Sequence, residues 1–288
     1  MYSNNSNMYR EIANLDRKSA ISFLELEKKI FDNYFMFADE FQCEPRYGGG
    51  RFYFNFRRLS EWKEQYKWRT IQLEFQDYQL CLDFALAQHF KGYVLSDWGT
   101  ARQREFGQKI TNWIKGQLAE VAVQKFFKEK FNFGISLDFE IHEQIVPQDI
   151  IMIEKNGIKR EPKKGVGIKS SKPKSAYLVL GENEILLENR KSDIYIFCRP
   201  NMPDDHLLRL TREKIIETVK NQQHFDLYKN EIPYFESIDC EIAGWCQLEE
   251  LEKVSEIPGQ KFDGVRYVKK SGHLYKDKAG WDNLISLL

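Results

Sequence analysis

The chain has 288 residues, with 43 Lys+Arg balanced by 43 Asp+Glu. That length holds one large domain or two modest ones, and the zero formal net charge gives bulk electrostatics no part in choosing a partner. The aromatic content of 14% and the absence of low-complexity tracts exclude a disordered chain, and no apolar run is long enough to span a bilayer. The five cysteines are widely spaced with no Cys-x-x-Cys pair, so reduced thiols are expected and a zinc motif is not. The opening residues Tyr2 to Asn7 are polar, unlike a secretory signal, so the expected location is cytoplasmic.

In chain order, Ser19 to Phe37 reads helical from the spacing of Ile21, Leu24, Ile30 and Phe31. Pro45 and three glycines break that pattern, and Arg51 to Arg58 then alternates aromatic and polar residues as a half-buried strand does. Ser60 to Phe90 is expected to be helical in one or two pieces. The clearest helix runs from Gly107 to Phe131, with Ile110, Ile114, Leu118, Val121 and Ala122 as its stripe and Glu120 at the edge of that stripe. Ser136 to Val146 alternates like a strand. Asp193 to Cys198 is apolar enough for a central strand. Leu210 to Phe225 is expected to be a helix, Ile242 to Cys246 a strand entering an acidic helix at Leu248 to Val254, and Gly264 to Lys276 a hairpin.

The stretch from Pro147 to Lys174 carries the chemistry. Asp149 opens an apolar strand, Ile150 to Ile153, and Asn156-Gly157 marks a tight turn. Apolar character returns at Val166 and Ile168, which places Gly167 and Lys169 together on the opposite face of a second strand. If these two strands pair, Asp149 and Lys169 share one end of a sheet. A carboxylate able to bind a hard cation, beside a lysine able to orient or activate water, is a minimal kit for metal-assisted phosphodiester hydrolysis. Seven basic residues and one acid lie between Asn156 and Ser175, a local stripe that suits an anionic ligand or else a solvated hairpin tip. The five scattered histidines are expected at the surface or satisfied in the core, and Asp204-Asp205-His206 reads as a solvated turn.

An internal glutamate on a long helix (Gly116-Gln117-Leu118-Ala119-Glu120), then Pro147-Gln148-Asp149 at a strand start, then Gly167-Ile168-Lys169-Ser170-Ser171, is the order of one known core. Over about residues 100–250 the chain resembles the PD-(D/E)xK nuclease superfamily and, within it, type II restriction endonucleases. The resemblance implies an α/β (α+β) fold with a restriction-endonuclease-like core, a central mixed β-sheet flanked by helices. It places the core in residues 100–288, after a largely helical region 1–99 open to DNA recognition or dimerisation. It also implies Mg2+-dependent, sequence-specific cleavage of double-stranded DNA by a homodimer, with Mn2+ as a substitute. Asp149, Glu120 and the Ile168 carbonyl would be metal ligands, and Asp149, Glu120 and Lys169 the catalytic set. Arg102, Arg104, Lys172 and Lys174 would contact phosphates.

The chain departs from the superfamily pattern at Gly167, where an acid is expected two residues before the lysine. Four accounts are open. Glu120 supplies the second carboxylate; Gly167 is an inactivating substitution; the protein binds DNA without cutting; or the site shifts to Glu161-Pro162-Lys163. The last is disfavoured because Pro162 cannot donate to a strand ladder.

Overall fold

A strand walled in on both faces must be apolar throughout, and residues 194–200 meet that demand: every position from Ile194 to Pro200 is buried. The architecture around this strand comes from a computed structural model that describes residues 46–48, 51–53, 64–91, 105–141, 148–173, 175–222, 225–257 and 260–288. The helix expected at Ser19 to Phe37 lies outside the described residues.

In chain order, β1 (Arg46–Gly48) and β2 (Arg51–Tyr53) form a hairpin; β2 opens the alternating stretch expected to be a strand, whose residues 54–58 lie outside the described residues, while β1 falls in the glycine-rich stretch expected to be a break. The run expected to be helical from Ser60 is helical at residues 64–68, then turns into β3 (Thr70–Leu73) before α1 (Phe75–Lys91). The long helix is present as α2 (Phe106–Phe131), closed by Asn132, whose left-handed φ of 48° suits an asparagine cap. Then come β4 (Gly134–Leu137), β5 (Ile150–Lys155), β6 (Ile158–Arg160), β7 (Val166–Ser170), β8 (Tyr177–Gly181), α3 (Glu182–Leu186) and β9 (Ile194–Pro200). The remainder is α4 (His206–Leu210), α5 (Arg212–Val219), α6 (Phe225–Glu231), β10 (Ile238–Gln247), β11 (Glu252–Ile257), β12 (Gln260–Lys270) and α7 (Lys278–Leu287).

The fold is mixed α/β. Its central sheet has the order β3-β10-β9-β7, antiparallel except for the β9–β7 pair. Thr70–Leu73 and Phe75–Lys91 fall inside the stretch read as a separate N-terminal region, yet β3 pairs with β10 and α1 packs on α2. One face of the sheet (Val166, Ile168, Ile194, Ile196, Cys198, Ile238, Cys240, Ile242) packs on α1 and α2 in the larger core. Tyr195, Phe197, Ala243 and Cys246 project to the other face and pack with Leu178 and Leu180 of β8 in a smaller core. β8 belongs to a second sheet, β11-β12-β8. The extra residue of a bulge between Ile242 and Gly244 resets the alternation, which lets Trp245 return to the larger core. Gly244 has φ of 137°, and a Cβ there would lie 2.7 Å from Leu274 Cβ, so only glycine fits.

Four expectations are corrected by these pairings. β5 does not pair with β7; it lies between β4 and β6 in a third sheet, because the Asn156-Gly157 turn (φ of 53° and 77°) folds β6 back onto it. As far as residue 141, the strand expected from Ser136 to Val146 ends at Leu137, since the chain bends where Asp138 Oδ1 accepts the Glu140 amide; residues 142–146 lie outside the described residues. The acidic helix expected at Leu248 to Val254 is a three-residue 3-10 turn followed by β11. The hairpin expected around Ser271-Gly272 lies earlier, between β11 and β12, and Ser271–His273 is a 3-10 turn.

His206 is a satisfied core histidine rather than part of a solvated turn. It is 1% exposed, with Nδ1 2.7 Å from the Tyr78 hydroxyl and Nε2 3.0 Å from the Thr111 hydroxyl. Burial, reinforced by Lys115, holds its pKa down to about 4 against the pull of Asp205 and Asp204. An unfolded histidine titrates near ~6.5. Between these values the unfolded chain binds more protons, so the stability His206 contributes is complete above the unfolded pKa and is lost as pH falls toward the folded one. Urea midpoints measured at several pH values should fall through that window, by at most about 1.4 kcal/mol per pH unit from this group. His206→Gln should flatten that part of the profile; an unchanged slope in the variant refutes the assignment.

Candidate active site

β7 is the edge strand of the central sheet, so one side of its backbone faces away from β9. Asp149, just before β5, docks on that open edge. Its amide donates to the Val166 carbonyl at 3.1 Å, and its Oδ2 accepts the Ile168 amide. Asp149 and Lys169 therefore meet by edge docking rather than by the ladder expected from sequence. A strand residue points its N–H and C=O to the same side, so the Ile168 carbonyl also faces this edge.

Glu120 approaches from α2, on the larger-core side, and is 9% exposed. Gln117, one helical turn earlier, donates from Nε2 to Glu120 Oε1 at 3.1 Å. Lys169 stands on the other face of β7, where its Nζ lies 3.1 Å from Glu184 Oε2 of α3. Its ion-pair partner is thus Glu184.

The electrostatics tie these groups into one cluster. Burial pushes the Glu120 carboxyl well up; Asp149 pushes it further, while Lys169 and Gln117 oppose. Burial also raises Asp149, against the stabilising Lys169 charge and the Ile168 amide. For Lys169, burial acts downward, but Asp149 and Glu184 outweigh it and the net shift is upward. Lys169 is therefore held as an ammonium, a donor and a charge rather than a base.

Among the described residues, no group of three His, Cys, Asp or Glu side chains gathers closely enough to hold a cation by itself. The local oxygen donors nevertheless fit a hard divalent ion in kind. Glu120 and Asp149 repel each other, and Gln117 Oε1 is buried beside them without a hydrogen-bond donor. Surplus oxygen lone pairs in a buried place are what an oxygen-preferring cation and its waters satisfy.

The other sequence-derived positions divide plainly. Lys172 is exposed; Arg102, Arg104 and Lys174 lie outside the described residues. The basic stripe is largely solvated: β6 is exposed at every position, and Lys159 reaches Glu154 at 3.7 Å. Glu161 and Lys163 sit in the connection between β6 and β7, so the shifted Glu-x-Lys site has no strand under it. Sequence reasoning missed Glu184 and the partnering role of Gln117. Gln117 was findable, since it precedes Glu120 by three on the clearest helix; Glu184 lies on a helix of only 5 residues, too short to show a periodic pattern. Among the described residues no helix is long and apolar enough to cross a membrane. No family model, no curated protein and no solved structure matches the chain.

Proposed function

We propose that the protein is a Mg2+-dependent endodeoxyribonuclease of the PD-(D/E)xK type, acting as a restriction endonuclease on double-stranded DNA. The single observation behind this reading is the convergence of Glu120, Asp149 and Lys169 from a helix, a strand start and an edge strand. Asp149 and Glu120 would hold the ion, with the Ile168 carbonyl as a further donor. A bound divalent ion supplies Lewis acidity and lowers the pKa of water. The Lys169 ammonium orients the attacking water and offsets charge developing on the phosphate. As a P–O bond to water forms, the P–O bond to the leaving sugar oxygen breaks, leaving a phosphate end and a hydroxyl end. Lys172, Arg102, Arg104 and Lys174 are assigned to phosphate contacts, and a two-fold dimer would match a palindromic site. Mn2+ would substitute for Mg2+, and these roles imply a cytoplasmic enzyme.

Gly167 favours a second reading, a DNA binder on a nuclease scaffold that does not cut. The deciding experiment incubates the chain with unmethylated, sequence-diverse DNA in Mg2+, in Mn2+ and in Ca2+. Discrete fragments in Mg2+ are expected, and none from Lys169→Met. Retained binding in Ca2+, weakening steeply with salt, without cutting in Mg2+ or Mn2+ selects the second reading. Neither binding nor cutting overturns both.

A further inference from the structure

The inference here rests on the nuclease reading and concerns what stands in for the side chain that Gly167 lacks. Gly167 and Lys169 project from the same face of β7. Across the parallel β7–β9 register Gly167 is opposite Tyr195. A Cβ added at Gly167 would lie 2.9 Å from Ser192 Oγ and 3.2 Å from two carbons of the Tyr195 ring. The room a carboxylate would need at 167 is therefore already filled.

What fills it leads to α3. The Tyr195 hydroxyl accepts the Ser192 amide at 3.1 Å and lies 3.5 Å from the Glu184 carbonyl, to which it can donate. Glu184, on the first turn of α3, places Oε2 3.1 Å from Lys169 Nζ, and the two side chains are only 17% and 28% exposed. A surface ion pair on so short a helix would carry little, but this one is sheltered and braced from behind by an aromatic ring. We propose that Glu184 is the positioning residue for Lys169, and that Gly167 is a glycine the site requires so that Tyr195 can brace α3. Lys169 takes its carboxylate partner from α3 rather than from its own strand, and the chain is not disabled at position 167.

The test is steady-state cleavage by the unaltered chain, Glu184→Gln and Gly167→Asp in Mg2+, with thermal midpoints and DNA affinity in Ca2+ measured beside it. Glu184→Gln should lower kcat about 10²-fold, the loss typical of a misplaced catalytic group. KM for DNA, the Mg2+ concentration at half activity, and the affinity in Ca2+ should stay within about twofold; Glu184→Asp should recover part of kcat. Gly167→Asp should cut less than the unaltered chain and melt lower. Full kcat in Glu184→Gln, or a loss that appears wholly in KM or in the melting midpoint, overturns the positioning role and leaves the nuclease reading intact. Gain of cutting in Gly167→Asp overturns the required glycine. An unaltered chain that does not cut in Mg2+ or Mn2+ overturns the inference together with the nuclease reading.

Discussion

Glu241→Gln is expected to lower folding stability by about 3–5 kcal/mol, the usual cost of breaking a buried ion pair from one side. Glu241 lies on β10, opposite Thr70 of β3 and Arg199 of β9. It receives Arg69 Nε and Nη2 at 3.2 and 2.9 Å through Oε1, and Arg199 Nη2 and Nε at 2.9 and 2.9 Å through Oε1 and Oε2. Arg69 and Glu241 are almost wholly buried, as is Arg199, whose Nη1 also donates to the Ser175 carbonyl at 2.8 Å. One carboxylate thus links two guanidinium groups, one just before β3 and one on β9, across β10. The isosteric amide keeps the volume and part of the hydrogen bonding, so the loss isolates charge. Two guanidinium groups that lose this negative charge in a low-dielectric interior cannot shed their protons, because arginine stays charged, and the penalty falls on the fold. With an m-value of about 3 kcal/mol/M, the urea midpoint should drop by about 1–1.7 M at unchanged slope. A drop of a few tenths of a molar would show that water reaches the triad.

Much of the frame was legible because its signals are local. The 26-residue helix α2 announces itself by repetition of Ile110, Ile114 and Leu118, and β9 by unbroken apolar character. The Asn156-Gly157 pair specifies its turn through backbone conformation alone. Strand pairing is a different matter, since a five-residue run such as Val166 to Ser170 carries no information on its partner. β7 takes β9, beyond α3, and leaves its other edge for Asp149. Thr70–Leu73 was hidden because a four-residue strand between helical stretches is shorter than any periodicity window. Glu241 was hidden for a related reason. Alternation with Cys240 and Ile242 puts it on the far face of β10, which reads as solvent unless a second sheet, closed by β8, covers that side. Glu184 depends on the same second sheet, since α3 follows directly from β8. Asp149, Lys169 and Glu120 could be singled out from sequence because their residue types and order carry chemical meaning. The carboxylate that meets Lys169 was missed because it carries none until the register sets Tyr195 against Gly167.

Asp149→Asn should cut DNA about 10³-fold more slowly or worse while folding at least as well as the unaltered chain. The activity loss follows from removing the carboxylate assigned to the ion, since several kcal/mol of transition-state charge stabilisation correspond to about three powers of ten. The stability sign follows from the cluster without its ion. Burial raises the Asp149 pKa despite Lys169 and the Ile168 amide, so the charged form is disfavoured in the folded chain, and Asp149 in turn raises Glu120. A carboxyl raised on folding weakens the fold once pH exceeds its unfolded value, and lowering the pH relieves that penalty. The amide imitates the protonated acid, keeps an oxygen for the Ile168 N–H, and removes one like charge from Glu120. In chelator its melting midpoint at neutral pH should therefore equal or exceed that of the unaltered chain, as expected where function is bought with local instability. Added Mg2+ should raise the midpoint of the unaltered chain by mass action and leave Asp149→Asn nearly unmoved. A variant that melts markedly lower in chelator would make Asp149 a structural acceptor for the β7 edge; an equal Mg2+ response in both proteins would place the ion elsewhere.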